Sequence, residues 1–268
     1  MKIFNTLNSG ALSLCFIMTL FILWPSCIKA QNVNLGSEIE LGFTKFQEGD
    51  WTEALAHLEI ISSNLSSLGA DTDIERTVYY ACGMCAQRIG ELNKSIAYNV
   101  KALELPNTPM DMTIQLLCSQ LQNYSDLSMM NNCKKIIERM MNIYRLHKYI
   151  DLAQSVMEYY SRIGSYNKVI EFEKDLPQLI VPTANTEMNK ISNTIQWNTI
   201  YLSLAHSFSE LRDFPNALTY YQKGLETVTE YNKEMLSVIY ASISKIYDLQ
   251  GDKSSALKYQ KLALESEL

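Results

Sequence analysis

Near the end of this chain the same pattern is written twice. Leu204, Ala205 and Phe208 lead into Asp213, Phe214, Ala217, Leu218, Tyr220, Tyr221 and Leu225, and Ile243, Ser244 and Tyr247 lead into Asp252, Ala256, Leu257, Tyr259, Ala263 and Leu264. Ala217 and Ala256 stand 39 residues apart, as do Leu204 and Ile243. Each copy has the apolar spacing of a helix, an Asp-bearing turn, and a second helix of the same kind. Repetition at a fixed period constrains the fold more than any single residue. A unit this small cannot hide its apolar side alone, so its copies must stack.

The same turn recurs upstream. Gly49-Asp50-Trp51 precedes Ala54-Leu55, Gly90-Glu91-Leu92 precedes Ser95-Ile96, and Gly164-Ser165-Tyr166 precedes Val169-Ile170. With Arg212-Asp213-Phe214 and Gly251-Asp252-Lys253, the turns are offset by 41, 74, 48 and 39 residues. The long interval is twice 37 and leaves room for a degenerate unit near Tyr124 to Cys133, which makes six helical hairpins. The chemistry of the turn is consistent. Gly ends the first helix in a left-handed conformation without a Cβ clash. Asp or Ser beside it caps the next helix. The aromatic two residues after the Gly plugs the open end, and the small residue five after it lets the paired helices approach. In the first helices, Tyr79, Cys82 and Gly83 put an aromatic, an apolar and a small residue on one face. Tyr201, Leu204 and Ala205 repeat this arrangement, as do Tyr240, Ile243 and Ser244.

This pattern resembles the tetratricopeptide repeat. The best matches are Leu41-Gly42 with Gly49-Asp50-Trp51 and Ala54-Leu55, then Gly90, Ile96, Tyr98 and Ala102-Leu103-Glu104-Leu105-Pro106, then Gly251-Asp252, Ala256-Leu257-Lys258-Tyr259 and Ala263-Leu264-Glu265. The resemblance covers nearly all of 35–268 and implies an all-α fold, an α-solenoid of about six helical hairpins wound as a right-handed superhelix. The spacing of 37 to 48 residues exceeds the family's period of about 34, so helices or inter-repeat turns must be longer. The third unit, Met110 to Tyr144, lacks the turn Gly, and Cys133 stands at its small position. Pro177 and Pro182 are expected to stop the fourth unit's second helix near Leu176. A segment from about Thr186 would then lengthen the fifth unit's first helix. The organisation expected is 1–30 as a leader, 31–176 as repeats one to four, and 177–268 as a linker with repeats five and six, with a modest kink between the blocks. No polar capping helix follows the sixth unit, so either Lys258, Lys261, Glu265 and Glu267 make its outer side polar enough or a partner covers it.

The first thirty residues read differently. Met1 and Lys2 are followed by an uncharged apolar run, Ala11 to Trp24, and then Pro25-Ser26-Cys27-Ile28-Lys29-Ala30. This reads as a secretory signal peptide cleaved before Gln31. The stretch Ala11 to Ile28 also has about the length of a single membrane anchor, and Cys27 is compatible with a lipid-modified cysteine. All three readings export the remainder to the periplasm or cell surface. Without residues 1–30, which hold two lysines and no acid, the chain has 21 basic and 29 acidic residues. With 47% hydrophobic and 19% charged residues overall it is too apolar for disorder, and without a basic stripe it is not expected to bind nucleic acid.

No catalytic, cofactor-binding or metal-binding residue is expected. Cys82-Gly83-Met84-Cys85 is a C-x-x-C placed inside a helix, with Cys82 at the repeat's Leu position and Cys85 at its small position. Core packing is the leading reading, because buried Cys behaves as a small hydrophobe. A disulfide in an oxidising compartment stays open, as does a thiolate metal site with Cys118 and Cys133. His57, His147 and His206 are isolated, and neither a phosphate-binding Gly loop nor a G-x-S-x-G is present. Asn64, Asn93 and Asn123 fit the N-x-[ST] glycosylation pattern.

Function is then expected on a surface. In the resembled family the first helices line the concave side. Its groove positions map here onto Phe43 and Phe46 beside Ile39, onto Thr77, Tyr80, Met84, Gln87 and Arg88, onto Gln154, Glu158 and Arg162 beside Asp151, and onto Leu202, His206 and Glu210. Aromatics and arginines on a mixed surface suit a peptide or helix of a protein partner. The expectation is a non-enzymatic interaction scaffold or adaptor of the cell envelope. The alternative is an extracytoplasmic sensor or regulatory module whose effector domain lies on a separate or downstream chain. An enzyme using the cysteines is a third reading.

Overall fold

A computed structural model describes residues 33–65, 70–180 and 187–266. The leader, residues 1–30, and Pro182 lie outside the described residues. Among those described, the chain is all helix: α1 (Val33–Glu48), α2 (Trp51–Ser63), α3 (Thr72–Arg88), α4 (Leu92–Glu104), α5 (Met110–Asp126), α6 (Met130–His147), α7 (Ile150–Arg162), α8 (Tyr166–Ile170), α9 (Glu187–Glu210), α10 (Phe214–Glu226), α11 (Met235–Leu249) and α12 (Lys253–Glu265). Two 3₁₀ turns, Glu171–Gln178 and Glu230–Asn232, supplement them. The chain divides into two compact units, 33–140 and 141–266 in the described residues.

The six hairpins share one turn. Gly49, Gly90, Gly164 and Gly251 take positive φ, and so do Ser128 (58°) and Arg212 (62°). At each, two backbone bonds close the preceding helix in a Schellman motif. Gly90 N–H donates to Gln87 O at 3.2 Å and Glu91 N–H to Ala86 O at 2.8 Å. Ser128 and Met129 do the same to Ser125 (3.0 Å) and Tyr124 (2.8 Å), and Arg212 and Asp213 to Ser209 (3.0 Å) and Phe208 (2.9 Å). Ser128 therefore sets the register of the third hairpin, which had no glycine to mark it. The long interval splits into 38 and 36 residues around it. Asp50, Asp213 and Asp252 then cap the following helices by accepting the N–H three residues on.

Five residues past the left-handed position, Ala54, Ser95, Cys133, Val169 and Ala217 are wholly buried, and Ala256 is 6% exposed. The small position of α3 is Gly83, not Cys85: a Cβ there would collide with Asn99 Oδ1 of α4. Aromatic pairs zip the hairpins internally. Tyr79 stacks on Tyr98 (6.2 Å), and Tyr201 and Tyr240 face Tyr220 (6.2 Å) and Tyr259 (6.1 Å). Lys101 lies 5.3 Å over both rings of its pair, and Lys223 covers Tyr201 and Tyr220 likewise.

The fourth hairpin departs from the others. Its second α-helix ends at Ile170 and continues as 3₁₀ turns with Pro177 inside. Proline lacks the N–H that an α-helix would use there. Phe172 of this run packs on Tyr144 at 5.2 Å, and Asp175 accepts from Tyr144 Oη (3.1 Å) and Lys148 Nζ (2.9 Å). Ile180 returns beside Tyr149 in an isolated bridge. The next first helix, α9, is 24 residues long, as the sequence from Thr186 suggested.

Candidate partner-binding face

Counting back from each left-handed residue gives the same first-helix positions in every hairpin. In the unit 33–140 this face is mostly closed. Phe43 and Phe46 are 3% exposed and belong to the core, with Phe46 edge-on to Trp51 at 5.2 Å. Thr77 is buried and its hydroxyl donates to Asp73 O at 2.8 Å. Tyr80 is buried too, and its hydroxyl donates to Gln115 Oε1 of α5 at 2.6 Å. These four hold the hairpins together and offer little surface to a partner. Gln87 is half-buried and accepts from Ser119 Oγ at 2.9 Å, and that Ser119 oxygen accepts from Asn99 Nδ2 at 2.9 Å. Met84 is half-buried, as is Arg88, whose guanidinium lies 5.8 Å over Trp51.

In the unit 141–266 the same positions are polar and more open. On α7, Asp151, Gln154 and Glu158 are half-buried and Arg162 is exposed. Gln154 Nε2 donates to Glu158 Oε1 at 3.1 Å. Burial holds the Glu158 carboxyl above its ordinary range, with the Gln154 bond and Arg162 opposing the shift. Burial likewise raises Asp151, against its backbone bond and the bond from Gln196 Nε2 of α9. On α9, Leu202 is buried against Gly224, while His206 and Glu210 face solvent. The His206 ring stands edge-on to Tyr166 at 5.5 Å, and partial burial pushes its pKa below the ordinary value. Glu210 lies 3.9 Å from Lys245 of α11.

A second open surface lies on the sixth hairpin. A groove of about 620 Å³ runs between α11 and α12, lined by Ala241, Ser244, Asp248, Ala256, Leu257 and Leu264. Leu257 and Leu264 are 66% and 62% exposed. In the second hairpin the matching Tyr80, Gln87 and Asn99 bond to α5, the next first helix.

The cysteines do not form a reactive pair. Cys82 and Cys85 are fully buried, and none of the four described cysteines is in a disulfide. Burial is the main cause that raises both thiols, Cys85 to about 12 and Cys82 higher still. Among the described residues no three His, Cys, Asp or Glu side chains converge as a metal site would require, and no helix is long and apolar enough to cross a membrane.

No protein-family model matches the chain. Response regulator aspartate phosphatase E of Bacillus subtilis (strain 168) is 25% identical over 189 residues. The match covers 69% of this chain and 50% of that protein, so the chain spans about half the length of the curated relative it matches. The solved structure of BtubC (BKLC) from P. vanneervenii superposes with a TM-score of 0.53 at 13% identity, covering 83% of this chain and 90% of that one. MamA MSR-1 C2 gives 0.50 at 15% identity over 73% of this chain and 98% of its own. A tetratricopeptide repeat protein from Parabacteroides merdae ATCC 43184 gives 0.46 at 13% identity, covering 88% and 94%. Together with six hairpins sharing one left-handed turn and one buried small position, the superpositions on BtubC and MamA decide the fold. It is that of the tetratricopeptide repeat.

Within this repeat, sequence reasoning passed over several buried polar side chains. Arg76, 2% exposed, donates to Pro106 O at 2.6 Å and to Thr108 Oγ1 at 3.3 Å. Asn198, also 2% exposed, donates to Gly224 O at 2.8 Å and Thr227 Oγ1 at 3.0 Å. Both stand fourteen residues before the left-handed turn, where α5 and α7 carry Ile114 and Ile150. Each ties a first helix to the end of its hairpin's second helix. A polar residue where two other first helices carry isoleucine was the available signal. Gln196 had none, because its partner Asp151 lies on another hairpin, 45 residues away in sequence.

Proposed function

We propose that this tetratricopeptide-repeat chain is a non-enzymatic interaction module that holds a peptide or helix of a protein partner against its first-helix face. The carrying observation is the open polar row Gln154, Glu158, Arg162, His206 and Glu210, set on packed helices that fix each side chain's backbone. Rigid presentation lowers the ordering cost of binding. Met84, Gln87 and Arg88 are the accessible members in the unit 33–140. Phe43, Phe46, Thr77, Tyr80 and Leu202 serve this reading as support beneath the surface.

We place the module in the cell envelope, on the charge and apolar pattern of residues 1–30. Fusing those residues to a reporter active only outside the cytoplasm tests this, and a silent fusion would refute it. The partner is tested by cross-linking pull-down, comparing the wild-type chain with Arg162→Glu and Arg88→Glu. The expected result is loss of specific bands with helicity unchanged. Identical recovery by all three baits would sink the face as the binding surface.

A regulatory role in a signalling system is the second reading, favoured by the relative named as a response regulator phosphatase. Binding of a purified response regulator to the chain would support it. Hydrolysis of that regulator's aspartyl phosphate by the chain would overturn the non-enzymatic reading.

A further inference from the structure

We propose that α12 pairs antiparallel with the α12 of a second copy of this chain, about a two-fold axis through Gln260. Inside the array a helix covers the matching surface. In the second hairpin α4 is covered by α5, with Asn99 Nδ2 donating to Ser119 Oγ at 2.9 Å and Asn123 Nδ2 to Ser95 Oγ at 2.9 Å. Numbers rise along α4 as they fall along α5, so the covering helix runs antiparallel. In the fifth hairpin α11 covers α10, and Ile239 stands 3.7 Å from where a Cβ on Gly224 would be. In these two hairpins Ile96, Leu103, Leu218 and Leu225 are half-buried. Leu257 and Leu264 hold the matching positions of the sixth hairpin and are 66% and 62% exposed, on the wall of the groove between α11 and α12.

The face of α12 is complementary to itself. Lys253, Leu257, Gln260, Leu264 and, next in sequence, Glu267 follow at spacings of four, three, four and three residues. That is the heptad spacing of a helix that packs along another helix. Ala256 and Ala263, 6% and 9% exposed, line the same groove. Leu257 and Ala263 stand three residues either side of Gln260, Ala256 and Leu264 four, Lys253 and Glu267 seven. Turning the helix end for end about Gln260 therefore sets Leu257 on the partner's Ala263 and Leu264 on the partner's Ala256. Large side chains over small ones let two helices close without a void. The same turn sets Lys253 at the partner's Glu267. In the single chain Lys253 has Asp248 at 2.5 Å, with both side chains more than half exposed, so a second carboxylate can join. The two Gln260 amides meet at the axis, where each both donates and accepts, and a polar residue at one central heptad position fixes register. Apolar, charged and polar pairs all close at one register, which singles out a second copy over an unrelated helix.

Sedimentation velocity of the full chain across a concentration series tests this pairing. The expected result is a reversible dimer of micromolar affinity, as suits an interface at the small end of specific contacts. Leu257→Glu combined with Leu264→Glu should weaken it at least about tenfold. Helicity should be unchanged, because both leucines are exposed in the single chain. Lys253→Glu should weaken it roughly threefold to tenfold, and adding Glu267→Lys should restore it. Under mild oxidation the Gln260→Cys variant should form a covalent dimer, since its two copies meet at the axis. Lys258→Cys, two residues away and so on the opposite side of the helix, should not. A chain that stays monomeric at about 100 µM would overturn the proposal. So would a dimer that survives the double leucine substitution, as association through residues 1–30 would, or equal cross-linking of the two cysteine variants.

Discussion

Helices α3 and α7 fill the same place in their hairpins and use it in opposite ways. Ten residues before the left-handed turn, α3 has Tyr80, buried and bonded to α5, whereas α7 has Gln154, half-buried and bonded along its own helix. Three residues on, α3 has Gly83, which admits Asn99, and α7 has Met157, wholly buried. The second helix explains that exchange. In the second hairpin α4 runs on past Asn99 as α-helix, but in the fourth the residue at the matching position, Glu173, lies in the 3₁₀ run and accepts from Tyr220 Oη at 2.8 Å. At the next position Met84 faces Glu158 in the comparison. Register decides which residues turn toward this face, and the neighbouring helix decides whether they become core or surface.

Tyr80→Ala tests the contrast most strongly. It should cost roughly 3–5 kcal/mol, the usual penalty for emptying a buried aromatic site, while Gln154→Ala at the matched position should cost less than about 1 kcal/mol. Urea denaturation measures both, and equal losses would erase the distinction. Next in size is Gly83→Ala, whose new methyl must displace Asn99 and should cost about 1–3 kcal/mol. Met157→Leu, in the roomier match, should stay below about 1.5 kcal/mol.

The turns give a smaller effect of opposite sign. Arg212 and Ser128 hold a left-handed conformation that penalises a Cβ. Arg212→Gly and Ser128→Gly should each stabilise by roughly 0.5–1 kcal/mol, while Gly90→Ala should lose at least that much. Thermal midpoints of the three variants decide the matter. The smallest effect concerns Glu158. Its folded-state pKa is raised, so the folded protein binds this proton more tightly than the unfolded chain and the ionised form carries a penalty. That penalty is absent below the ordinary carboxylate range and grows as pH rises through the raised value. Glu158→Gln should therefore be the more stable protein at pH 7, by no more than about 2 °C in midpoint, with the gap closing as pH falls.

Most of the architecture was legible because small residues and glycines fall where the hairpin needs them. Ala54, Ala217 and Ala256 announced tight pairing and are buried as expected. The third hairpin was harder to read, because Ser128 does a glycine's work and nothing in a serine advertises a positive φ. The face was legible in position but not in exposure. Phe43, Phe46 and Tyr80 stand where the resemblance put groove residues, yet packing draws them inside, and that depends on neighbours a one-dimensional register does not contain. Gln196 was invisible for a related reason, since its role is created by the meeting of two helices 45 residues apart at their contact.

The sulfur atoms of α3 carry an experimental consequence. A thiol attacks reagents as its thiolate, and Cys82 and Cys85 are sealed from water with their ionisation suppressed. An alkylating dye can reach them only in the moments when the second hairpin comes apart. The labelling of Cys82 and Cys85, followed site by site because Cys118 is only half-buried, is thus a native stopwatch for that opening, and a ligand that grips α3 should slow it.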